Sequence, residues 1–286
     1  MEGAVVVFDF DDTIIDGDSD KWVVDELDLN HLFAQLLPTL PLNFLMDRMM
    51  MELHVRGKTI EEIADCLKQV PIDPSIVSAI KSAHASGCDL RILSDANMFF
   101  IETILKHHGL LNYFHEIISN PSSVDGEGKL RILPYHDFTS SSHSCNICPP
   151  NMCKGLVMER IRASVSAEGI KKKLIYVGDG TPDFCAGLKL EEGDYLIPRK
   201  NFPIWEVICT KPMLIKAKIY EWSNWEELAS VLIKTTTKTS FIEDKCSTRP
   251  DNLVPLDCKI QDSSMSAAHP NALRVPHQPR NSSKFI

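Results

Sequence analysis

The sequence predicts an α/β protein: a parallel sheet with a helical segment inserted after its first strand, followed by a polar tail. Apolar strand-like runs alternate with helical patterns over much of the chain, which is typical of βαβ units. Residues 21–75 interrupt this alternation because they contain helical patterns only. Residues 234–286 are polar without a sustained hydrophobic period, so we expect them to be disordered. The predicted core is therefore residues 1–20 and 76–233, with residues 21–75 forming a cap.

The predicted strands are short runs of β-forming residues. Residues 4–8 are apolar without interruption, the pattern of a strand that is covered on both faces. Further strands are predicted at residues 89–93, 173–180 (entering a turn) and 194–197. Helical patterns flank the second strand, and Gly87 and Gly109 at their ends favour helix termination.

The predicted cap contains a recognisable helix start. The segment TIEE, beginning at Thr59, has the pattern of a capping box. Apolar residues then recur at helical spacing, at Ile60, Ile63 and Leu67. Helix-only sequence between two strands therefore predicts an inserted helical cap.

Composition argues against several classes of function. The formal net charge is −9 and the calculated isoelectric point is about 5.6, which disfavours binding of nucleic acid or acidic membrane through bulk charge. We expect neither a signal peptide nor a membrane span, since the apolar run at residues 4–8 is too short for either. Nine cysteines, an odd number, indicate reduced thiols. We therefore expect a cytoplasmic protein.

Aspartate is concentrated directly after the first predicted strand, at Asp9, Asp11, Asp12, Asp16, Asp18 and Asp20. Ligands gather at the carboxyl ends of strands in open parallel sheets, and Asp179 and Asp183 follow another predicted strand. Carboxylates that converge there need a cation, and a hard divalent ion such as Mg²⁺ suits their oxygens. The spacing excludes an EF-hand calcium loop starting at Asp9, since Ile14 stands where that loop requires glycine.

The segment DFDDT, beginning at Asp9, resembles the D-x-D-x-T signature of the haloacid dehalogenase (HAD) superfamily of phosphatases. The expected further motifs follow in order, with Ser94 after "LRIL", Lys154 in "MCKG", and Asp179 and Asp183 in "GDGTPD". The segments "FDFDDTIIDGDSD", "LSDAN" and "GDGTPDFC" are similar to the phosphoethanolamine/phosphocholine phosphatase family. Plant relatives in that family are described as acting on pyrophosphate or thiamine monophosphate.

The resemblance, which covers residues 4–225, implies a HAD-like Rossmannoid fold and a covalent mechanism. It assigns Asp9 as the nucleophile that attacks phosphorus. Asp11 would be the general acid that protonates the leaving oxygen and the base that later activates water. Thr13 would orient Asp11 through a hydrogen bond.

The same resemblance implies a magnesium site and a phosphate site. The metal would be held by Asp9, the backbone carbonyl of Asp11 and Asp179, with Asp183 as a further ligand or as support for the others. Ser94 and the amides after it would bind phosphate oxygens, and Lys154 would neutralise developing charge.

Asp20 and Asp95 are predicted to bind the far end of the substrate. Both are costly beside an anionic substrate unless a positive group intervenes, and an ammonium group near the phosphate would supply it. Trp22 can add a cation–π face. In the resembling family the matching aspartates bind substrate. The alternative is that Asp20 and Asp95 cap the helices that begin near Lys21 and Asn97.

A cysteine cluster follows in "HSCNICPPNMC", with Cys145, Cys148 and Cys153 close to His143. A C-x-x-C pair with a third cysteine and a histidine can form a Cys₃His zinc site. Because all four ligands would fall within eleven residues, unligated thiols are the preferred interpretation. Cys185 is expected in the core.

Several hypotheses for function remain open. The preferred one is a Mg²⁺-dependent phosphatase for a small compound of the phosphoethanolamine or phosphocholine type, acting through an aspartyl-phosphate. An inorganic pyrophosphatase or thiamine monophosphate phosphatase is the alternative within the family, and a phosphomutase uses the same intermediate. A catalytically silent HAD-fold binding protein is the alternative from another class, and the presence of Asp9, Asp11 and Lys154 argues against it. Substrate and oligomeric state stay open.

Overall fold

Strands and helices alternate along the chain in a computed structural model that describes residues 3–140, 143–167, 169 and 172–236. The strands are β1 (Val5–Phe8), β2 (Asp89–Asn97), β3 (Glu116–Asn120), β4 (Ser122–Val124), β5 (Leu130–Ile132), β6 (Leu174–Gly178), β7 (Tyr195–Pro198) and β8 (Lys218–Ile219). The helices are α1 (Ser19–Glu26), α2 (Asn30–Leu36), α3 (Leu42–Val55), α4 (Ile60–Leu67), α5 (Pro74–Ala85), α6 (Met98–His107), α7 (Lys154–Ala167), α8 (Thr181–Gly187), α9 (Pro203–Thr210) and α10 (Trp225–Thr236). All described residues belong to one compact unit.

Six parallel strands form the main sheet in the order β3-β2-β1-β6-β7-β8. All four residues of β1 are buried, which explains their unbroken hydrophobicity: helices cover both faces of this central strand. Phe8 is in register with Ile92 of β2 and Val177 of β6. The ends of these three strands therefore lie side by side, and the predicted parallel α/β fold is confirmed.

The helices α1–α4 follow β1, so the predicted helical insertion after the first strand is confirmed. The capping box at its last helix is present. The Thr59 hydroxyl accepts from the Glu62 amide (3.2 Å), and the Glu62 carboxylate accepts from the Thr59 amide (2.9 Å). The first inserted helix begins at Ser19, before the expected limit at residue 21. The division into core and cap domains stays a prediction.

A short antiparallel hairpin, β4–β5, packs against helix α3 of the insertion. Both guanidinium contacts of Arg131 go to the carboxylate of Asp47 (2.9 and 2.7 Å), which also accepts from the Ile132 amide (2.9 Å). The sequence analysis did not predict this hairpin.

Helix α10 packs against α5 and buries Trp225, Leu228 and Leu232. It extends to Thr236, so its last residues fall where the tail was expected to begin. The predicted disorder of residues 237–286 concerns a segment outside the described residues. Among the described residues, no helix combines the length and the apolar character required to cross a membrane.

Candidate active site

Carboxylates meet where β1 and β6 end. Asp9 follows β1, Asp179 follows β6, and the Asp9 amide donates to the Val177 carbonyl (2.8 Å). Asp9, Asp179 and Asp183 each offer an oxygen, and these oxygens lie within 4.8 Å of one another. The structure therefore brings together three of the four carboxylates predicted to converge, whereas the Asp11 carboxylate is not part of this group.

Lys154, the first residue of α7, reaches into this cluster and is only 1% exposed. Its Nζ lies 2.9 Å from Oδ1 of Asp9 and 2.7 Å from Oδ1 of Asp183. Burial alone would lower the pKa of Lys154, but the carboxylates of Asp183 and Asp9 outweigh it and raise that pKa well above its ordinary value. Lys154 is therefore a fixed cation between two buried carboxylates.

Asp183 is placed to hold its neighbours by hydrogen bonds rather than to bind a metal ion. Its Oδ1 accepts from Lys154 and from the Tyr176 hydroxyl (2.6 Å), and its Oδ2 accepts from the amides of Asp179 (3.0 Å) and Gly180 (2.8 Å). Four hydrogen bonds occupy the lone pairs that a metal would use. A Cβ on Gly178 would lie 2.5 Å from the Asp183 carboxyl carbon, so only glycine fits there.

The three carboxylates of the cluster outnumber its one cation, Lys154. Burial and the neighbouring Asp183 carboxylate raise the pKa values of Asp9 and Asp179 well above their ordinary range, although Lys154 acts in the opposite direction. Oxygen ligands of this kind suit Mg²⁺, which binds through a few carboxylates and retains other positions for water and phosphate. The residues therefore fit a Mg²⁺ ion.

Asp11 lies on the loop between β1 and α1, and its Oδ1 accepts from the Ser19 amide (2.8 Å). Burial, followed by the charges of Asp18 and Asp20, raises the pKa of Asp11 well above its ordinary value. Thr13 does not orient Asp11 as predicted. Its hydroxyl instead lies 3.4 Å from Oδ1 of Asp179, so it links the first loop to the loop after β6.

Arg199 fixes the first loop from the end of β7, a role that the sequence analysis missed. Its guanidinium donates to the Asp12 carbonyl (2.6 Å), where the backbone has a positive φ of 50°. It packs over the rings of Phe202, Trp222 and Trp225 at 4.1 to 5.0 Å. The available signal was its position directly after a strand at the ligand-binding edge.

Ser94 lies in β2, fully buried, and its Oγ accepts from the Ala96 amide (3.2 Å). The backbone after Ser94 is held by Asn120, the last residue of the neighbouring strand β3. The Asn120 side-chain amide donates to the carbonyls of Asp95 (2.7 Å) and Ala96 (2.8 Å). Ser94 therefore follows the apolar run that was predicted as a strand, although β2 continues to Asn97. Asn120 is a positioning residue that the sequence analysis did not single out.

The capping alternative for Asp20 and Asp95 is wrong. Asp18 caps α1 by accepting from the Lys21 amide (2.9 Å), and Asn97 caps α6 by accepting from the Phe100 amide (3.1 Å). Asp20 is 7% exposed, and its Oδ1 is buried without a hydrogen-bond partner among the described residues. Burial and the charges of Asp18 and Asp95 raise the pKa of Asp20 well above its ordinary value.

The cysteine cluster differs from the prediction. Cys185 of α8 joins Cys145, Cys148 and Cys153 instead of serving only as core packing. Both ring nitrogens of His143 are engaged within the loop, by the Pro149 carbonyl and the Cys145 amide. Six of the described cysteines are free thiols.

Comparison with known proteins agrees with this geometry. Residues 4–236 match the protein family described as "Putative Phosphatase". The chain belongs to this phosphatase family. The phosphatase is 56% identical to "Inorganic pyrophosphatase 1" of Arabidopsis thaliana over 93% of its own length and 92% of the relative. It is 54% identical to an Arabidopsis "Thiamine phosphate phosphatase-like protein", over 85% of its own length and all of the relative.

More distant similarities agree with a phosphatase of HAD-like fold. A human "Phosphoethanolamine/phosphocholine phosphatase" is 31% identical, over 77% of this chain and 84% of the relative. A substrate-bound phosphoserine phosphatase structure superposes with a TM-score of 0.54, covering 81% of this chain and 99% of the other, at 14% identity. The latter likeness shows the fold alone. The predicted recognition of a HAD phosphatase is confirmed, and Mg²⁺ is the usual metal of such phosphatases.

Proposed function

We propose that this phosphatase hydrolyses a small phosphate compound through an aspartyl-phosphate intermediate on Asp9, with Mg²⁺ as cofactor. The observation that carries the proposal is the buried Asp9 carboxylate held against Lys154 at the end of β1. Oδ1 of Asp9 takes both the Lys154 contact and the Phe10 amide (2.7 Å). Oδ2 is then the oxygen that attacks phosphorus.

Asp11 supplies the protons in this mechanism. As Oδ2 of Asp9 bonds to phosphorus and the bond to the leaving oxygen breaks, the Asp11 carboxyl gives that oxygen its proton. Asp11 then takes a proton from a water whose oxygen attacks phosphorus, which releases inorganic phosphate and the Asp9 carboxylate. The raised pKa of Asp11 supports the first step, since it keeps the carboxyl protonated at higher pH.

Mg²⁺ would be held by Asp9, Asp179 and the backbone carbonyl of Asp11, and would reduce the repulsion between the attacking carboxylate and the phosphate. Asp183 fixes Lys154 and the turn at Asp179 through its four hydrogen bonds. Ser94 and the amides after it are assigned to the phosphate oxygens.

The proposed substrate carries a cation beyond its phosphate. Asp20 and Asp95 interact electrostatically with one another, and neither forms an ion pair within the described part of the chain. Since they cap no helix, their carboxyl groups are available to a ligand, and a cationic group there would offset the burial and the repulsion that raise the pKa of Asp20. The names of the thiamine phosphate and phosphoethanolamine/phosphocholine relatives both denote phosphate esters with such a cation.

Pyrophosphate is the second candidate, because a relative named inorganic pyrophosphatase is 56% identical over almost the whole chain. Its far end would be a second phosphate beside Asp20 and Asp95. Such an anion would require a second divalent ion between the phosphate and these carboxylates. The two candidates therefore differ in the sign of the charge that Asp20 and Asp95 meet directly.

The test measures phosphate release with Mg²⁺ from phosphocholine, phosphoethanolamine, thiamine monophosphate, pyrophosphate and an uncharged aryl phosphate ester. Asp20→Asn and Asp95→Asn should each raise KM for the cationic substrates about tenfold, which is about 1.4 kcal/mol of lost binding. KM for the aryl ester should not change. Asp25→Asn, an exposed position on the same helix as Asp20, is the matched control.

Three outcomes would redirect or contradict the proposal. Equal losses on every substrate would contradict cation recognition. A marked preference for pyrophosphate, with an increase in the Mg²⁺ concentration it requires in Asp20→Asn, would favour the second candidate. Absence of phosphate release from all five compounds, in a folded protein with Mg²⁺, would contradict the phosphohydrolase proposal itself.

A further inference from the structure

Four cysteine sulfurs meet beside the active site, from segments far apart in sequence. Cys145, Cys148 and Cys153 come from the loop before α7, and Cys185 comes from α8. Their Sγ atoms all lie within 4.8 Å of one another. Three of these cysteines are buried, Cys145 is partly exposed, and all four are free thiols.

Two of the sulfur–sulfur distances match those of a tetrahedron around one metal ion, and all of them are short enough for shared coordination. Sγ of Cys185 lies 3.7 Å from Sγ of Cys145 and 3.9 Å from Sγ of Cys153. Four sulfurs at about 2.3 Å from a central Zn²⁺ would be about 3.8 Å apart. A disulfide bond would require about 2.05 Å, so this arrangement is not that of disulfide pairs.

Backbone amides face these sulfurs. The amides of Ile147 and Cys148 donate to Sγ of Cys145 at 3.4 and 3.5 Å. Such N–H donors stabilise sulfur that carries negative charge, as a metal-bound thiolate does.

The first turn of α7 presents further amides to the other three sulfurs. The amide of Lys154 faces Cys148, that of Gly155 faces Cys185 and that of Leu156 faces Cys153. The first amides of a helix have no hydrogen-bond partner within it. The N-terminus of α7, the positive end of the helix dipole, therefore faces the cysteine cluster.

Gly155 has the small size that this arrangement requires. A Cβ at this position would lie 2.7 Å from Sγ of Cys185 and 3.0 Å from its carbonyl oxygen. Any side chain here would therefore displace Cys185 from the other sulfurs.

We propose that Cys145, Cys148, Cys153 and Cys185 bind one structural Zn²⁺ ion. Four sulfur ligands in tetrahedral arrangement select zinc over the oxygen-preferring Mg²⁺ of the reaction. With four protein ligands the coordination is complete, which is typical of a structural site. His143 is not required, because Cys185 takes the place that the sequence pattern assigned to it.

The ion would stabilise two segments that carry active-site residues. Cys153 directly precedes Lys154, and Cys185 lies two residues after Asp183. A metal bond between these segments would therefore hold the Lys154–Asp183 ion pair in place. The same ion would fix the loop that carries Cys145 and Cys148, which contains neither helix nor strand from residue 143 to residue 153.

The experiment measures zinc in the full-length chain, purified under reducing conditions without added metal or chelator. Elemental analysis should find one zinc per chain. Cys145→Ser and Cys148→Ser should lower the zinc content about tenfold or more. Cys66→Ser and Cys88→Ser, free thiols at comparably exposed and buried positions elsewhere, should keep it unchanged.

Measurements on the unmodified protein keep the test decisive if the serine variants fail to fold. X-ray absorption at the zinc edge should show four sulfur neighbours at about 2.3 Å. A zinc chelator, applied in excess Mg²⁺, should remove the ion and lower Tm, and restored zinc should recover it. Oxygen or nitrogen neighbours, iron in place of zinc, or a zinc-free protein that does not take up added zinc through sulfur would each overturn the proposal.

Discussion

The Nζ atom of Lys154 lies 2.9 Å from Oδ1 of Asp9, and both side chains are buried. This contact joins the start of α7 to the end of β1. Because Asp183 shares the same ammonium group at 2.7 Å, one cation faces two carboxylates and Asp179 adds a third. The site therefore contains more carboxylates than cations. The effects of substitution, metal binding and pH on stability and turnover follow from this excess of negative groups.

Asp9→Asn should abolish turnover, because an amide cannot attack phosphorus. We expect a loss of more than about a thousandfold in kcat, about 4 kcal/mol of transition-state stabilisation. Tm should stay the same or rise, since the substitution removes a buried charge whose pKa is raised by burial and by Asp183. Phosphate release and thermal unfolding measure the two effects. Substantial residual activity in a folded variant would contradict the covalent mechanism.

Lys154→Met should destabilise the protein by about 3–5 kcal/mol, because it leaves two buried carboxylates without their cation. Turnover should be lost as well. Denaturant unfolding without Mg²⁺ measures the free energy of unfolding. Lys81→Met, at an exposed position on α5, is the control and should change it by less than about 0.5 kcal/mol. Similar small effects in both variants would show that the buried ion pair contributes little.

Mg²⁺ should raise Tm, and more so near pH 8 than near pH 5. The pKa values of Asp9 and Asp179 are raised, so protons compete with the metal as pH falls. At a hundred times its Kd, Mg²⁺ should add about 2.7 kcal/mol of stability. Asp179→Asn should weaken the response, whereas Asp25→Asn should not. A Tm that does not change on addition of Mg²⁺ at either pH would argue against metal binding by these carboxylates.

Asp12→Asn should stabilise the metal-free protein at neutral pH and much less near pH 4. Burial raises the pKa of Asp12 from 3.8 to about 6, so the folded state binds this proton more tightly than the unfolded state. The wild-type free energy of unfolding therefore falls as pH rises from about 4 to about 6.

Asp12→Asn does not show this fall in the free energy of unfolding, because asparagine does not titrate. Asparagine also tolerates the positive φ at this position. Thermal unfolding of both proteins in a chelator, across that pH range, measures the difference. A Tm difference that does not depend on pH would show that Asp12 is not the group responsible.

Much of the site could be predicted because Asp9, Ser94 and Asp179 each follow an apolar run that the sequence marks clearly as a strand. Parallel strand ends share an edge, so their order along the chain suffices to bring them together. Helix starts were less predictable. Asp18 and Asn97, each within two residues of the expected caps, take the capping bonds, and boundaries depend on local hydrogen bonds that propensity does not resolve.

Tyr176, Cys185 and the aromatic contacts of Arg199 could not be assigned from the sequence for a different reason. In the sequence Tyr176 is an ordinary strand residue, and only the structure shows that its hydroxyl lies 2.6 Å from the Asp183 carboxylate. Arg199 depends on rings from the later part of the chain, and Cys185 on a loop about forty residues earlier. Each role depends on long-range packing, for which local sequence patterns carry no signal.

The hairpin β4–β5 has a mechanical consequence for the inserted helices. Three hydrogen bonds from Arg131 and Ile132 converge on the single carboxylate of Asp47 in α3. A displacement of α3 away from the sheet would break all three unless the hairpin travelled with it. Helix α3 and the hairpin are thus coupled by these hydrogen bonds. A movement of the inserted helices would therefore require the chain to bend on either side of the hairpin as well as at both ends of the insertion.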